Sequence, residues 1–123
     1  MTRSVINWFD IPAADFERAV AFYEALFGVT LKREAMGPDQ PGAIFPYAER
    51  QASGAVVAAP HLKPSADGAV IYLDAADRLD DMLDRLPGLG GRIVTPRFDI
   101  PGVGGIAHIL DTEGNRIGLH QAP

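Results

Sequence analysis

The chain has 123 residues, of which 47% are hydrophobic and 22% charged, with a formal charge of −5 and no cysteine. That is the size and make-up of one globular domain able to bury about two thirds of its unfolded surface. No segment approaches the ~20 apolar residues of a membrane span, the N-terminus lacks the features of a secretory signal, and no Lys/Arg cluster offers a phosphate backbone the counterion release that drives nucleic-acid binding. The expectation is therefore a cytoplasmic protein with neither a membrane nor a nucleic acid as partner.

Ile6 to Ile11 reads as an apolar strand. From Ala14 to Phe27 the apolar residues fall at i, i+3, i+4 and i+7, which predicts an amphipathic helix starting at Asp15 as N-cap and stopping at Gly28. Val29 to Arg33, Ala43 to Tyr47 and Gly54 to Ala59 read as three strands, separated by turn-rich segments. After a linker at 61–68 the same order returns: a strand Ala69 to Leu73, a helix Asp77 to Leu86, then strands Arg92 to Thr95, Gly105 to Leu110 and Asn115 to His120. A shift of 62 residues carries Asp15 to Asp77, Gly28 to Gly90 and Trp8 to Val70. An internal repeat with one offset for strand, helix start and helix stop means two copies of one supersecondary unit. The fold class is thus α+β, with two tandem β-α-β-β-β modules (1–60 and 69–123 of a single domain) forming a curved, cup-like mixed sheet that carries its helices on the outer face. Strand alternation places Phe9, Ile11, Ile71 and Leu73 under the helices, and Trp8, Asp10, Val70 and Tyr72 in the cup.

The runs Phe9 to Ala19, Phe22-Tyr23 and Leu26-Phe27-Gly28, followed later by Asp99 to Ala107 and Asp111 to Leu119, resemble the two modules of the glyoxalase/bleomycin-resistance/extradiol-dioxygenase superfamily, the vicinal oxygen chelate proteins. Enzymes of that family hold a divalent metal at four cup positions, one on the first and one on the last strand of each module, filled by His, Gln or Glu. The resemblance puts those positions at Trp8, Val56, Val70 and Gly118. None offers the oxygen or imidazole donor such a cation needs, and neighbours of Val56 (Ser53, Gly54, Ala55 and Val57) restore no strong ligand either. The expectation is no metal and no cofactor. Drug-sequestering proteins of this fold bind a small molecule in the cup and pair two chains, so the resemblance implies a small-molecule partner and a homodimer. The alternatives are a metal-dependent lyase, isomerase or dioxygenase (lactoylglutathione-lyase-like), a metal-free acid/base enzyme, and a ligand-free regulatory or interaction domain.

Candidate ligand-binding residues are Trp8, Asp10, Val56, Val70, Tyr72, Arg97, His108, Gly118 and His120. Trp8 and Tyr72 are aromatics able to sandwich a flat ligand or simply to fill the cup. If the last hairpin pairs Ile109 with Ile117, His108 stands opposite Gly118, and His120 joins the same face two residues on; the two imidazoles could act as base and acid or donate to an anion, the alternative being a frayed surface group at His120 and a satisfied strand residue at His108. With Asp10 they form a conceivable replacement metal site. Asp10 is either a carboxylate in a partly apolar cup or a wet strand end. Arg97 lies in a Pro/Gly-rich stretch read as a loop at the pocket mouth, placed to meet a carboxylate or phosphate, or as a plain crossover. His61 reads as surface, and the Asp80-Asp81-Asp84 run as a solvated helix face.

Overall fold

The computed structural model describes residues 4–123; the first three, on which part of the N-terminal reading rests, lie outside the described residues. Two helices and eight strands appear in the order β1 (Trp8–Pro12), α1 (Phe16–Phe27), β2 (Lys32–Arg33), β3 (Gly42–Ile44), β4 (Ser53–Val57), β5 (Ile71–Asp74), α2 (Leu79–Arg85), β6 (Arg92–Ile100), β7 (Gly104–Leu110) and β8 (Arg116–Gln121).

Helix α1 forms as its sequence dictates. Asp15 caps it by accepting the Arg18 N–H at 3.1 Å, Gly28 ends it in the left-handed region (φ 65°), and the apolar stripe Ala19, Val20, Phe22, Tyr23 and Leu26 is buried. Helix α2 departs from its repeat mate. Its N-cap is Arg78, without a side-chain cap, rather than Asp77. The first free N–H, that of Leu79, is instead taken by Gln121 Oε1 at 3.1 Å. A 3-10 turn, Leu86–Leu89, carries the chain from α2 to Gly90 (φ 95°).

Each module makes one four-stranded sheet, ordered β1-β4-β3-β2 and β5-β8-β7-β6. In both, the first and last strands of the module pair in parallel while the hairpins are antiparallel. The repeat read from the sequence is therefore a repeat of topology. The strands depart from expectation in two ways: β2 and β3 are shorter, two and three residues in place of Val29–Arg33 and Ala43–Tyr47, and β6 runs to Ile100, so Pro96 to Ile100 is strand rather than loop. Pro96 is tolerated because β6 is the free edge of its sheet, where register shifts relieve the missing donor.

One hydrophobic core joins the modules, with Ile11, Val20, Tyr23 and Leu26 packed together with Leu79, Met82, Ile109 and Leu119. The edges β1 and β5 lie side by side in opposite directions: Phe9 shares a cleft with Leu73 and Asp74, and Pro12 shares another with Ala69 and Ile71. Both helices cover one side of the paired sheets, leaving the other side helix-free.

Polar contacts lock this arrangement. The Asp111 carboxylate accepts the Tyr23 hydroxyl at 2.6 Å, the Asn115 amide side chain at 3.0 Å, and the Glu113 and Asn115 backbone N–H groups at 2.8 and 2.9 Å. Asn115 in turn donates to Pro12 O at 2.7 Å. The Glu113 carboxylate, fully buried, accepts Ala14 N–H, Asp15 N–H and the Arg18 guanidinium, so module two caps the start of α1. At the other end Arg78 and Arg85 donate to the carbonyls of Phe27, Ala25 and Leu26. Helix α1 has no basic residue in its own last turn, and module two supplies two.

Candidate functional site

The helix-free side carries alternate residues of each strand, and the observed registers fix which ones. In module two, β5 pairs Tyr72 with Gly118, and β7 pairs His108 with Gly118 and Ile109 with Ile117, the register expected from the hairpin. Tyr72, Gly118 and His108 thus form one row. Asp74, His120, Ile106 and Phe98 form the next, and Arg116, Leu110 and Arg92 the one on the opposite flank.

In module one, Trp8 and Asp10 occupy the helix-free side, and the indole N–H of Trp8 donates to Asp10 Oδ1 at 3.1 Å. Trp8 and Tyr72 are 43% and 49% exposed, large values for aromatics and consistent with their expected direction. Val56 is different. It pairs with Ile11 and Ala43, is fully buried, and belongs to the core beneath α1. The helix-free position of β4 is Ala55, opposite Asp10. A constant offset of 62 places Val56 opposite Gly118, but the last strands are related by 63, and a slip of one residue turns a side chain to the other face.

Arg97 is likewise on the helix side. Its guanidinium lies over Gly105 and donates to Asp80 and Asp99, both at 3.1 Å, so its charge is balanced between α2 and β6 and it does not reach a pocket mouth. Asp80, with its side chain 76% exposed, keeps the solvated place expected of it while pairing with Arg97. Val70 sits just before β5, half-buried and two residues from Tyr72.

The two histidines share a face but have separate partners. His108 Nε2 is 2.8 Å from the Tyr72 hydroxyl, and its Nδ1 is 3.2 Å from Arg116 Nη1. His120 Nε2 donates to Val103 O at 2.6 Å, tying β8 to the β6–β7 turn. Asp10 joins neither; it lines a cleft of about 240 Å³ with Lys63, Asp67 and Arg116. Among the described residues no three His, Cys, Asp or Glu side chains are grouped to hold a metal.

The Tyr72 ring folds over Gly118, where a Cβ would lie 2.5 Å from Tyr72 Cε1. The fourth cup position is therefore covered by an aromatic ring, an arrangement that the bare hydrogen at Gly118 permits. Arg116 was not among the sequence candidates. The alternation that groups Gly118 with His120 extends one step back to Arg116, and that was the signal available.

The family model described as "Glyoxalase/Bleomycin resistance protein/Dioxygenase superfamily" matches residues 5–119. With two β-α-β-β-β modules of matching topology, the chain belongs to this superfamily. The CFP32 proteins of Mycobacterium bovis and Mycobacterium tuberculosis, whose name carries the word glyoxylase, are 32% identical over 94% of the chain. The chain spans 45% of their length. Among solved structures, a Zea mays glyoxalase I mutant aligns over 94% of this chain and 45% of its own, with a TM-score of 0.69 and 22% identity. The FosX fosfomycin resistance protein of Listeria monocytogenes aligns over 100% and 94%, with a TM-score of 0.67 and 15% identity. At such identities these structures speak for the fold. No helix among the described residues is long and apolar enough to cross a membrane.

Proposed function

We propose that this member of the superfamily binds a small organic molecule on its helix-free face without a metal ion. The reading is supported above all by the side chains at the four metal positions of the fold. They are the Trp8 indole, the Ala55 methyl, the Val70 isopropyl group and the hydrogen of Gly118, and this donor set does not fit a divalent cation, which takes oxygen, nitrogen or sulfur ligands at about 2.0–2.3 Å. The indole N–H is a donor only and already serves Asp10. For that reason the chemistries named for the maize and Listeria proteins are not carried over to this chain.

What the face offers in place of a metal is exposed aromatic surface at Trp8 and Tyr72 with polar groups beside it, the usual make-up of a small-molecule site. We propose further that two chains pair over this side, as the family resemblance implies. Phe98 and Ile100 are 42% and 38% exposed there, and a second copy of the chain would cover them.

Purification without chelators followed by elemental analysis tests the metal part: substoichiometric metal is expected, and one equivalent of zinc, nickel, manganese or iron overturns it. A thermal-shift screen of small aromatic and anionic compounds tests the binding part. A ligand at a hundred times its Kd adds about 2.7 kcal/mol, and no shift with any compound counts against a ligand site. Light scattering reads the pairing, with a mass of twice 13.2 kDa expected.

A further inference from the structure

The contacts around His108 fix the location of a proton. A guanidinium has N–H donors and no acceptor, so the 3.2 Å contact from Arg116 Nη1 requires a lone pair on His108 Nδ1. The neutral imidazole then carries its hydrogen on Nε2. Nε2–H faces the Tyr72 oxygen at 2.8 Å and donates to it. The Tyr72 oxygen is therefore an acceptor in this chain of bonds, and its own hydrogen has no partner within it.

Tyr72 is half exposed, and its ring is seated on Gly118, so the free hydroxyl hydrogen sits on the open side of the sheet. Two cations flank Leu110 on the same side: Arg116 and Arg92. Neither is among the ion pairs formed by the described residues, in a chain of net charge −5. Of the carboxylates near that face, Asp10 accepts from the Trp8 indole and Asp74 from the Ala76 N–H, while Asp67 lines the cleft beside Asp10 and Arg116 without an ion pair among the described residues. A polar group held in one orientation with its donor left over, beside unpaired positive charge, is suited to an incoming anionic oxygen.

We infer that Tyr72, oriented by His108 and Arg116, is the hydrogen-bond donor of a site for an organic oxyanion, a carboxylate or phosphate borne on a flat apolar body that lies against the exposed aromatic surface. Arg116 and His108 are positioning residues: they act by fixing which atom of Tyr72 is free, and Arg116 adds charge. The inference rests on the helix-free face being a ligand site and goes further by naming the ligand's chemistry.

Two measurements test it. The nitrogen chemical shifts of the His108 ring in the labelled full chain are expected to show a lone pair on Nδ1 and a proton on Nε2, and Arg116→Met is expected to abolish that preference. Titration with 2-naphthoate and with neutral 2-naphthalenemethanol is expected to favour the acid by about tenfold or more, and Tyr72→Phe, a conservative change at an exposed position, to remove most of that preference. A proton on Nδ1 overturns the inference. So do equal affinities that Tyr72→Phe leaves alone, and in that case the face remains a ligand site. If neither compound binds, the ligand site and the inference fall together.

Discussion

Both modules fold an aromatic ring over a glycine across the parallel pair of first and last strand, but on opposite faces. In module one Phe9 covers Gly54, where a Cβ would lie 2.5 Å from Phe9 Cδ1, and Phe9 packs with Phe45 on the helix side at a centroid distance of 5.9 Å. In module two Tyr72 covers Gly118 on the helix-free side and reaches His108. One packing device serves the core in one copy and an open surface in the other. The difference is a single step of strand parity, since Tyr72 is the repeat mate of Asp10 and not of Phe9. Module one thus sets Trp8 and Asp10 on the helix-free face beside the small residues Ser53 and Ala55, and module two sets Tyr72, His108 and Arg116 there.

The turns before the last strands are unequal in the same way. Residues 48–52 of module one are exposed, whereas Asp111 and Asn115 are buried and grip the other module. Replacing Asp111 with Ala is the strongest way to break this asymmetry. It strands the Tyr23 hydroxyl, the Asn115 side chain and two backbone N–H groups in a buried place, at about 3–5 kcal/mol by urea denaturation. Tyr23→Phe, which removes one donor only, should cost about 1 kcal/mol.

Next in size is Gly54→Ala. Phe9 is partly buried and packs against Phe45 on the helix side, so the added methyl is an overpacking change of about 1–3 kcal/mol.

Much of this was legible in the sequence, because it lies in periodicity and repetition. The apolar spacing from Ala19 to Leu26 and the left-handed glycine at Gly28 define α1, and the repeat fixes the topology of the sheets. The direction of Trp8, Asp10 and Tyr72 follows from alternation within one strand. What stayed hidden depends on registry between strands or on distant contacts. Val56 lies on the core face and not in the cup, and the one-residue difference between the copies that puts it there is invisible to a constant offset. Arg97 lies in a strand and not a loop, since Pro96, a breaker by sequence, is tolerated on an edge strand. Asp111 to Gly114 forms the turn between β7 and β8, and its grip on Tyr23 and Ala14, nearly a hundred positions earlier, has no local signal. Arg116 had one, the alternation of β8.

Glu113 sharpens the contrast between the modules with a pH dependence. Burial pushes its carboxyl up, and the Arg18 guanidinium, the Asp15 N–H and the Thr112 hydroxyl together outweigh burial, leaving it below its ordinary value of 4.5. A carboxyl lowered on folding adds stability above its unfolded pKa and loses it as pH falls through the folded one. Glu113→Gln should therefore cost on the order of 1–2 kcal/mol at neutral pH. The gap to the unaltered protein should close progressively below about pH 4.5 in denaturant titrations.

The smallest effect on stability is expected where the packing device faces outward. Gly118→Ala makes the same chemical change as Gly54→Ala and meets an aromatic ring just as closely, yet Tyr72 is half exposed and can swing into solvent at less than about 1 kcal/mol. That movement takes the hydroxyl away from His108 Nε2. The variant should unfold within about 1 kcal/mol of the unaltered protein while losing most of its preference for 2-naphthoate. Equal stability costs for the two alanines would mean that Tyr72 is as confined as Phe9, and that the helix-free face of module two is closed where the observed exposure has it open.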